Sequence, residues 1–186
     1  MPRPKQLSDE AVIEAAMPAI FSRKPGEFTL AEVAAAVGLS PATLIQRFGS
    51  KQALVVAALE LTNRRNFAAL DALPPGRGAE AVIRIFVERT PGPEHEMLLG
   101  DQLLWLRESM ADPRINALSR EYFVRFRQAL AERMPPLPIP VDDAVLLIEA
   151  QWHGALTQWG IGREGHLRGY VERSLRNWFE LVGPDD

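Results

Sequence analysis

From residue 8 onward, apolar side chains recur at intervals of three and four residues, with no sustained alternation of period two. That spacing lines apolar groups along one face of a 3.6-residue helix, so the pattern predicts an all-α chain. Punctuation by capping residues, Gly and Pro divides it into about nine helices. The first starts after Ser8, has Asp9 and Glu10 in its first turn and ends near Phe21, with Pro18 placed to kink or stop it. A second runs from Thr29, its cap, to Val37, where Gly38 supplies a tight turn. Ser40 caps a third, with Pro41 at its first position and Gly49 at its end. Ser50 opens a fourth, from Lys51 to about Leu70. Further helices are expected at about 79 to 89, 94 to 110 and 113 to 134. Two more follow the proline-rich stretch 135–140, at about 141 to 161 and 166 to 182.

The second and third helices, joined by about three residues, form a helix-turn-helix. Leu30, Val33, Ala34 and Val37 make one apolar stripe, Leu39 seals the turn, and Leu44 and Phe48 anchor the third helix on the same core. Pro41, Ala42, Thr43, Gln46 and Arg47 are left for another surface. Short side chains at a helix start let that end enter a major groove. Thr and Ala methyls suit thymine methyls, while Gln and Arg can bond base edges or phosphates. Amides at the starts of the second and fourth helices, with Thr29 and Lys51, suit phosphate. A helical hairpin in a core that never meets DNA has the same spacing, so the residues alone leave both readings open.

Charge changes the picture only slightly. The net charge of the 186-residue chain is -3. Residues 1–65 hold eight Lys/Arg against six Asp/Glu, a surplus of +2. The remainder holds thirteen against eighteen, a deficit of 5. A mildly basic head on an acidic body fits a protein that places one end on phosphates. Arg3 and Lys5 form a short basic arm before the first helix. Cysteine is absent, which removes disulfides, thiolate nucleophiles and thiolate metal sites. Apolar runs are too short to span a bilayer and no leader pattern stands at the start, so a cytoplasmic protein without membrane contact is expected.

The segment Gly38-Leu39-Ser40, Thr43-Leu44-Ile45-Gln46-Arg47-Phe48 and Ser50-Lys51-Gln52-Ala53-Leu54 resembles the signature of the TetR family of transcriptional regulators. The likeness is close over the first sixty or so residues and extends over the rest only to helix number and length. Ile45 departs from it, standing where the family usually has a phosphate-contacting tyrosine. The resemblance implies a helix-turn-helix domain over residues 1–50 and a ligand-binding and dimerisation domain over 51–186, linked by the fourth helix. It implies Thr29 and Lys51 as phosphate clamps, with Ser40, Pro41, Ala42, Thr43, Ile45, Gln46 and Arg47 completing the DNA-binding set. It also implies a repressor that binds a near-palindromic operator in double-stranded DNA as a homodimer, pairing through its two C-terminal helices.

On those helices Val141, Ala144, Val145, Ile148, Trp152, Ala155 and Trp159, then Leu167, Tyr170, Val171, Leu175, Trp178 and Val182, form apolar sides. They suit either a seam between subunits or an internal core. The middle helices would enclose a small-molecule effector site, and Phe86, Met97, Leu98, Trp105, Met110, Phe123 and Phe126 suit an apolar pocket or plain core. No cofactor and no metal are expected. His95, His153 and His166 are the only histidines, and no catalytic triad partner can be named. Glu149 and His153 lie four apart, but the paired Glu-x-x-His motifs of di-iron bundles are absent, as are nucleotide-binding loops. The rivals to a regulator are a module of the same fold that has lost DNA binding and a helical-bundle enzyme.

Overall fold

The computed structural model describes residues 7–21, 26–93 and 99–183, except for the side chains of Leu99 and residues 101–103. Among the described residues there are nine helices and no strand: α1 Asp9–Phe21, α2 Leu30–Val37, α3 Pro41–Phe48, α4 Lys51–Asp71, α5 Ala79–Arg89, α6 Leu99–Ala111, α7 Pro113–Ala131, α8 Val141–Gly162 and α9 Leu167–Val182. The all-α class expected from the pattern is observed. α1 continues through Pro18 to Phe21. The expected start of the sixth helix, at 94 to 98, lies outside the described residues.

Local chemistry sets the ends of these helices. Thr29 and Glu32 form a reciprocal capping box at the start of α2: Glu32 N–H donates to Thr29 Oγ1 at 3.2 Å, and Thr29 N–H donates to Glu32 Oε2 at 2.7 Å. Gly38 ends the helix with φ +68°, and Leu39 N–H reaches back to Ala34 O at 2.9 Å. Ser40 Oγ accepts from Thr43 N–H at 3.1 Å, and Ser50 Oγ from Ala53 N–H at 3.0 Å, starting α3 and α4.

The chain divides into two compact units, the first comprising residues 1–69 and 101–122 and the second 70–100 and 123–186. In the first, α1 supplies Val12, Ala16 and Ile20, α2 Val33 and Val37, α3 Leu44, and α4 Leu54, Ala58 and Leu61 to one buried cluster. Phe28, in the loop before α2, is 1% exposed within it. Full burial of side chains of this size contributes about 1.5–3 kcal/mol each. Two residues from far along the chain complete the cluster: Ile115 of α7 is buried in it and Trp105 of α6 packs against it. The Phe21 and Trp105 rings meet edge to face at 5.1 Å between centroids. Polar bonds reinforce the join, with Asn63 Nδ2 donating to Leu118 O and Gln52 Nε2 to Asp112 Oδ2, each at 2.8 Å.

In the second unit α9 packs on α8 and α5. Val82 and Phe86, Phe126 and Leu130, Ile148 and Trp159, and Leu167, Val171 and Leu175 are buried there. Arg176 on α9 grips Glu80 on α5, with Nη2 to Oε2 at 2.9 Å, and Glu172 on its own helix at 2.9 Å. Both carboxylates raise its pKa, and the bond to Arg176 lowers that of Glu80. Glu149, 6% exposed on α8, is buried with its charge met in bidentate fashion by Arg127 Nε and Nη2 at 2.7 and 3.0 Å. Arg133 donates to the carbonyls of Leu73 and Pro74 at 3.3 and 3.4 Å, fastening the segment after α4.

Candidate nucleic-acid interface

One side of α3 faces the core through Leu44, 1% exposed, while Pro41, Ala42, Ile45 and Gln46 are exposed. The division follows from helical geometry: one large apolar residue fixes the short helix, and the residues at its start and outer face stay in solvent. Ile45 is 39% exposed, a large apolar side chain on the outer face of α3. Thr43 is half-buried, and its hydroxyl bonds Ser40 Oγ at 2.8 Å. These two hydroxyls are engaged with each other, which leaves the Thr43 methyl for apolar contact.

The two residues expected to clamp phosphate lie next to one segment. Lys51 Nζ donates to Gly26 O at 2.7 Å and stands 4.3 Å above the Phe28 ring, immediately before Thr29. The N-terminus of α2 already holds an anion, because Glu32 Oε2 accepts from Thr29 Oγ1 at 3.0 Å as well as from its amide. A phosphate at that end therefore competes with the Glu32 carboxylate for the same donors. Glu32 carried no signal in the DNA-binding set read from sequence, although the S/T-x-x-E spacing was there to find.

Arg47 lies differently from the other residues of the set. Its Nε donates to Asp9 Oδ1 at 2.9 Å, an Nη2 donates to Leu7 O, and the side chain is 18% exposed. It ties the start of α1 to the last turn of α3. Arg64 and Arg65 of α4 likewise meet Glu10, at 3.6 Å, and Glu14. Three basic side chains of the head thus face acids of α1. Arg3 and Lys5, the basic arm, lie outside the described residues.

The seven residues expected to line an effector pocket fall into separate places. Phe86 and Phe126, both 0% exposed, pack edge to face at 5.5 Å in the second unit. Trp152 joins them at 5.4 and 6.4 Å, and Phe123 approaches His153 at 6.1 Å. Trp105 belongs to the first unit against Phe21, and Met110 is 74% exposed. Met97 and Leu98, like His95, lie outside the described residues. A cleft lined by Leu73, Ala81, Ile85 and Arg133 has room for about one water, and an open polar one is lined by Asp71, Arg125, Gln128 and Glu132. None of the seven lines either cleft.

Most of the apolar residues of α8 and α9 named from sequence, including Ala144, Ile148, Ala155, Trp159, Val171 and Leu175, are buried within their own unit. Tyr170, Trp178 and Val182 are half-buried, and Val141 is exposed. Besides Val141, α8 and α9 leave four further large apolar side chains in solvent, Leu146, Leu147, Ile161 and Leu181, the last two 84% and 86% exposed. Among the described residues no group of three or more acids and histidines is placed to hold a metal, and no helix is long and apolar enough to cross a membrane.

Residues 12–58 match the sequence model of the bacterial regulatory proteins of the tetR family. No curated protein matches the chain by sequence. Among solved structures the chain is similar to a transcriptional regulator from Rhodococcus sp. Rha1, with a TM-score of 0.77 at 15% identity over 97% of this chain and 100% of that one. It is also similar to a TetR transcription regulator from Haloarcula marismortui, with a TM-score of 0.69 at 13% identity over 93% and 95%. A third neighbour is a candidate transcriptional regulator from Saccharomonospora viridis in complex with choline, with a TM-score of 0.75 at 22% identity over 93% and 97%. At these identities the likeness establishes the fold.

Proposed function

The chain belongs to the TetR family through its N-terminal domain, and from that premise we propose that it is a transcriptional repressor binding a near-palindromic operator as a homodimer. The observation that carries this reading is the outer face of α3. Pro41, Ala42, Ile45 and Gln46 are exposed on a helix whose start is capped by Ser40 and whose inner side is fixed by Leu44. A short helix held this way can present its first turns to a major groove. Lys51, with the amides that begin α4, supplies the phosphate grip, and Thr29 contributes at α2 in exchange for its bond to Glu32. Thr43 and Arg47 complete the set, the first through its methyl and the second by holding α1 on α3.

A dimer is supported by the exposed Leu147, Ile161 and Leu181 on α8 and α9. Two copies would present two recognition helices to half-sites about 34–36 Å apart, turning weak single contacts into specificity. Control by a small, largely apolar effector is supported by the ring cluster of Phe86, Phe123, Phe126 and Trp152 in the second unit. The S. viridis neighbour with choline sets a precedent for a small molecule on this fold. An effector acts by its preference between the DNA-competent form and a second form. The reading gives the protein no catalytic step and places it in the cytoplasm with its DNA.

The test is selection of sites from a fragmented genomic library by the purified chain, beside Lys51→Ala and Thr43→Ala. A near-palindromic site with half-sites one helical turn apart is expected. Lys51→Ala should bind all sequences more weakly, and Thr43→Ala should change preference. Enrichment of no sequence overturns the reading. It would favour a module of the same fold that no longer binds DNA, a reading supported by the pairing of Arg47, Arg64 and Arg65 with acids.

A further inference from the structure

The first turn of α4 carries Lys51 and is held from two sides. Lys51 reaches the loop before α2, at Gly26 O and the Phe28 ring. Its neighbour Gln52 reaches the other way, donating from Nε2 to Asp112 Oδ2 at 2.8 Å. Asp112 is a stiff post. It sits at the corner between α6 and α7, its carbonyl accepts from Asn116 N–H at 2.9 Å, and its Oδ1 accepts from Arg114 N–H at 2.8 Å. Arg114 Nη2 lies 3.3 Å from Oδ2. With the carboxylate bonded to the first turn of its own helix, its second oxygen has little freedom left. The corner is also packed on the head core, with Ile115 buried in it and Trp105 against it.

We propose that Asp112 is a positioning residue for DNA binding: through Gln52 it fixes the first turn of α4, and with it the Lys51 ammonium, in the orientation that grips phosphate. The inference rests on the operator-binding reading above. It has an unusual sign. Asp112 is an acid in the DNA-reading unit, so electrostatics alone predicts that removing its charge strengthens binding to a polyanion. Positioning predicts the reverse, because a helix start freed on one side loses the alignment of its lysine.

The experiment compares operator affinities of the full chain, Asp112→Ala, Asp112→Asn, Gln52→Ala, Lys51→Ala and the double variant Lys51→Ala/Asp112→Ala, on the site selected by the wild type. Asp112→Ala and Gln52→Ala should each lower affinity ~3- to 10-fold, evenly across operator variants. Asp112→Asn retains an amide that can bond Gln52 and should show no loss. In the double variant the losses should not multiply, since Asp112 acts through the lysine already removed. Gln52 is exposed, so Gln52→Ala separates the effect from any damage to the start of α7. Binding by Asp112→Ala equal to or tighter than wild type, or multiplied losses in the double variant, overturns the proposal. A wild type that selects no site overturns the proposal together with the operator reading, whereas a wild type that binds alongside undiminished variants overturns the proposal alone.

Discussion

Arg47 illustrates how a neighbour distant in sequence redirects a side chain. On α3 alone it belongs with Gln46 on the exposed side, yet Asp9 and the carbonyl of Leu7 take its guanidinium. Asp9 is 62% exposed, so the pair contributes about 0–1 kcal/mol to stability. Its value is positional, holding α1 against α3. Arg47→Ala is therefore expected to weaken binding evenly across operator variants, with Asp9→Ala matching it, while Gln46→Ala changes base preference; selection of each variant on a randomised site reads the difference. Ile45 gives the second prediction at this scale. The family resemblance implies a phosphate-contacting tyrosine at this exposed position, so on the operator-binding proposal Ile45→Tyr should tighten operator binding ~3- to 10-fold, measured by titration at fixed salt. The exposure of Pro41, Ala42 and Gln46 was legible because it follows from which residues α3 must bury; Thr43, read with them, is half-buried, and Ile45 entered only through the family resemblance. The fate of Arg47 was not legible, since its partner lies 38 residues away.

At the scale of elements, caps fixed the boundaries and long-range packing fixed the allegiances. Gly38 holds φ +68° with no atom near the place a Cβ would occupy, so a substitution there meets a backbone penalty alone. Gly38→Ala should lower unfolding stability by about 1–2 kcal/mol, read from urea unfolding, without changing the base preference of α3. The α6–α7 corner gives a pH-dependent counterpart. The Arg114 amide, then its guanidinium and Gln52, pull the Asp112 carboxyl from its ordinary 3.8 to about 2. A depressed acid stabilises the fold above its unfolded pKa and loses that contribution as pH falls through the folded one. The stability advantage of wild type over Asp112→Asn should thus be full at pH 5, fall as pH drops through about 2 and be gone below it, again by urea unfolding. The ends of α2 and α3 were readable from Thr29, Gly38, Ser40 and Gly49. That Trp105 and Ile115 pack with the head was not, because a large apolar residue on a middle helix has the same local pattern in a pocket, a core or a join.

For the whole molecule, net charge understates how few cations the head offers. Its surplus of +2 includes Arg47, Arg64 and Arg65, each set against an acid of α1. Among the described basic residues of 1–65 that leaves Lys51, with the helix-start amides, for the phosphate contact we propose, and amides release no counterions. With Lys51 as the one cation each protomer sets on phosphate, the logarithm of the operator affinity is expected to fall with the logarithm of salt at a slope of about -2 for two protomers, against about -10 for a heavily charged interface. On the operator-binding proposal, affinity at physiological salt comes from base contacts and from pairing of two copies. The pairing of two copies through α8 and α9 remains a proposal: these helices bury most of the residues named from their apolar stripes within their own unit, and leave Ile161 and Leu181 outside.

The most direct measurement is a fluorescence-anisotropy titration of the purified chain with the duplex recovered by genomic selection and with a permuted duplex of equal length and composition. The account predicts a preference of at least ~1,000-fold for the recovered site at physiological salt, with two chains per site. Equal affinity for the two duplexes would contradict it.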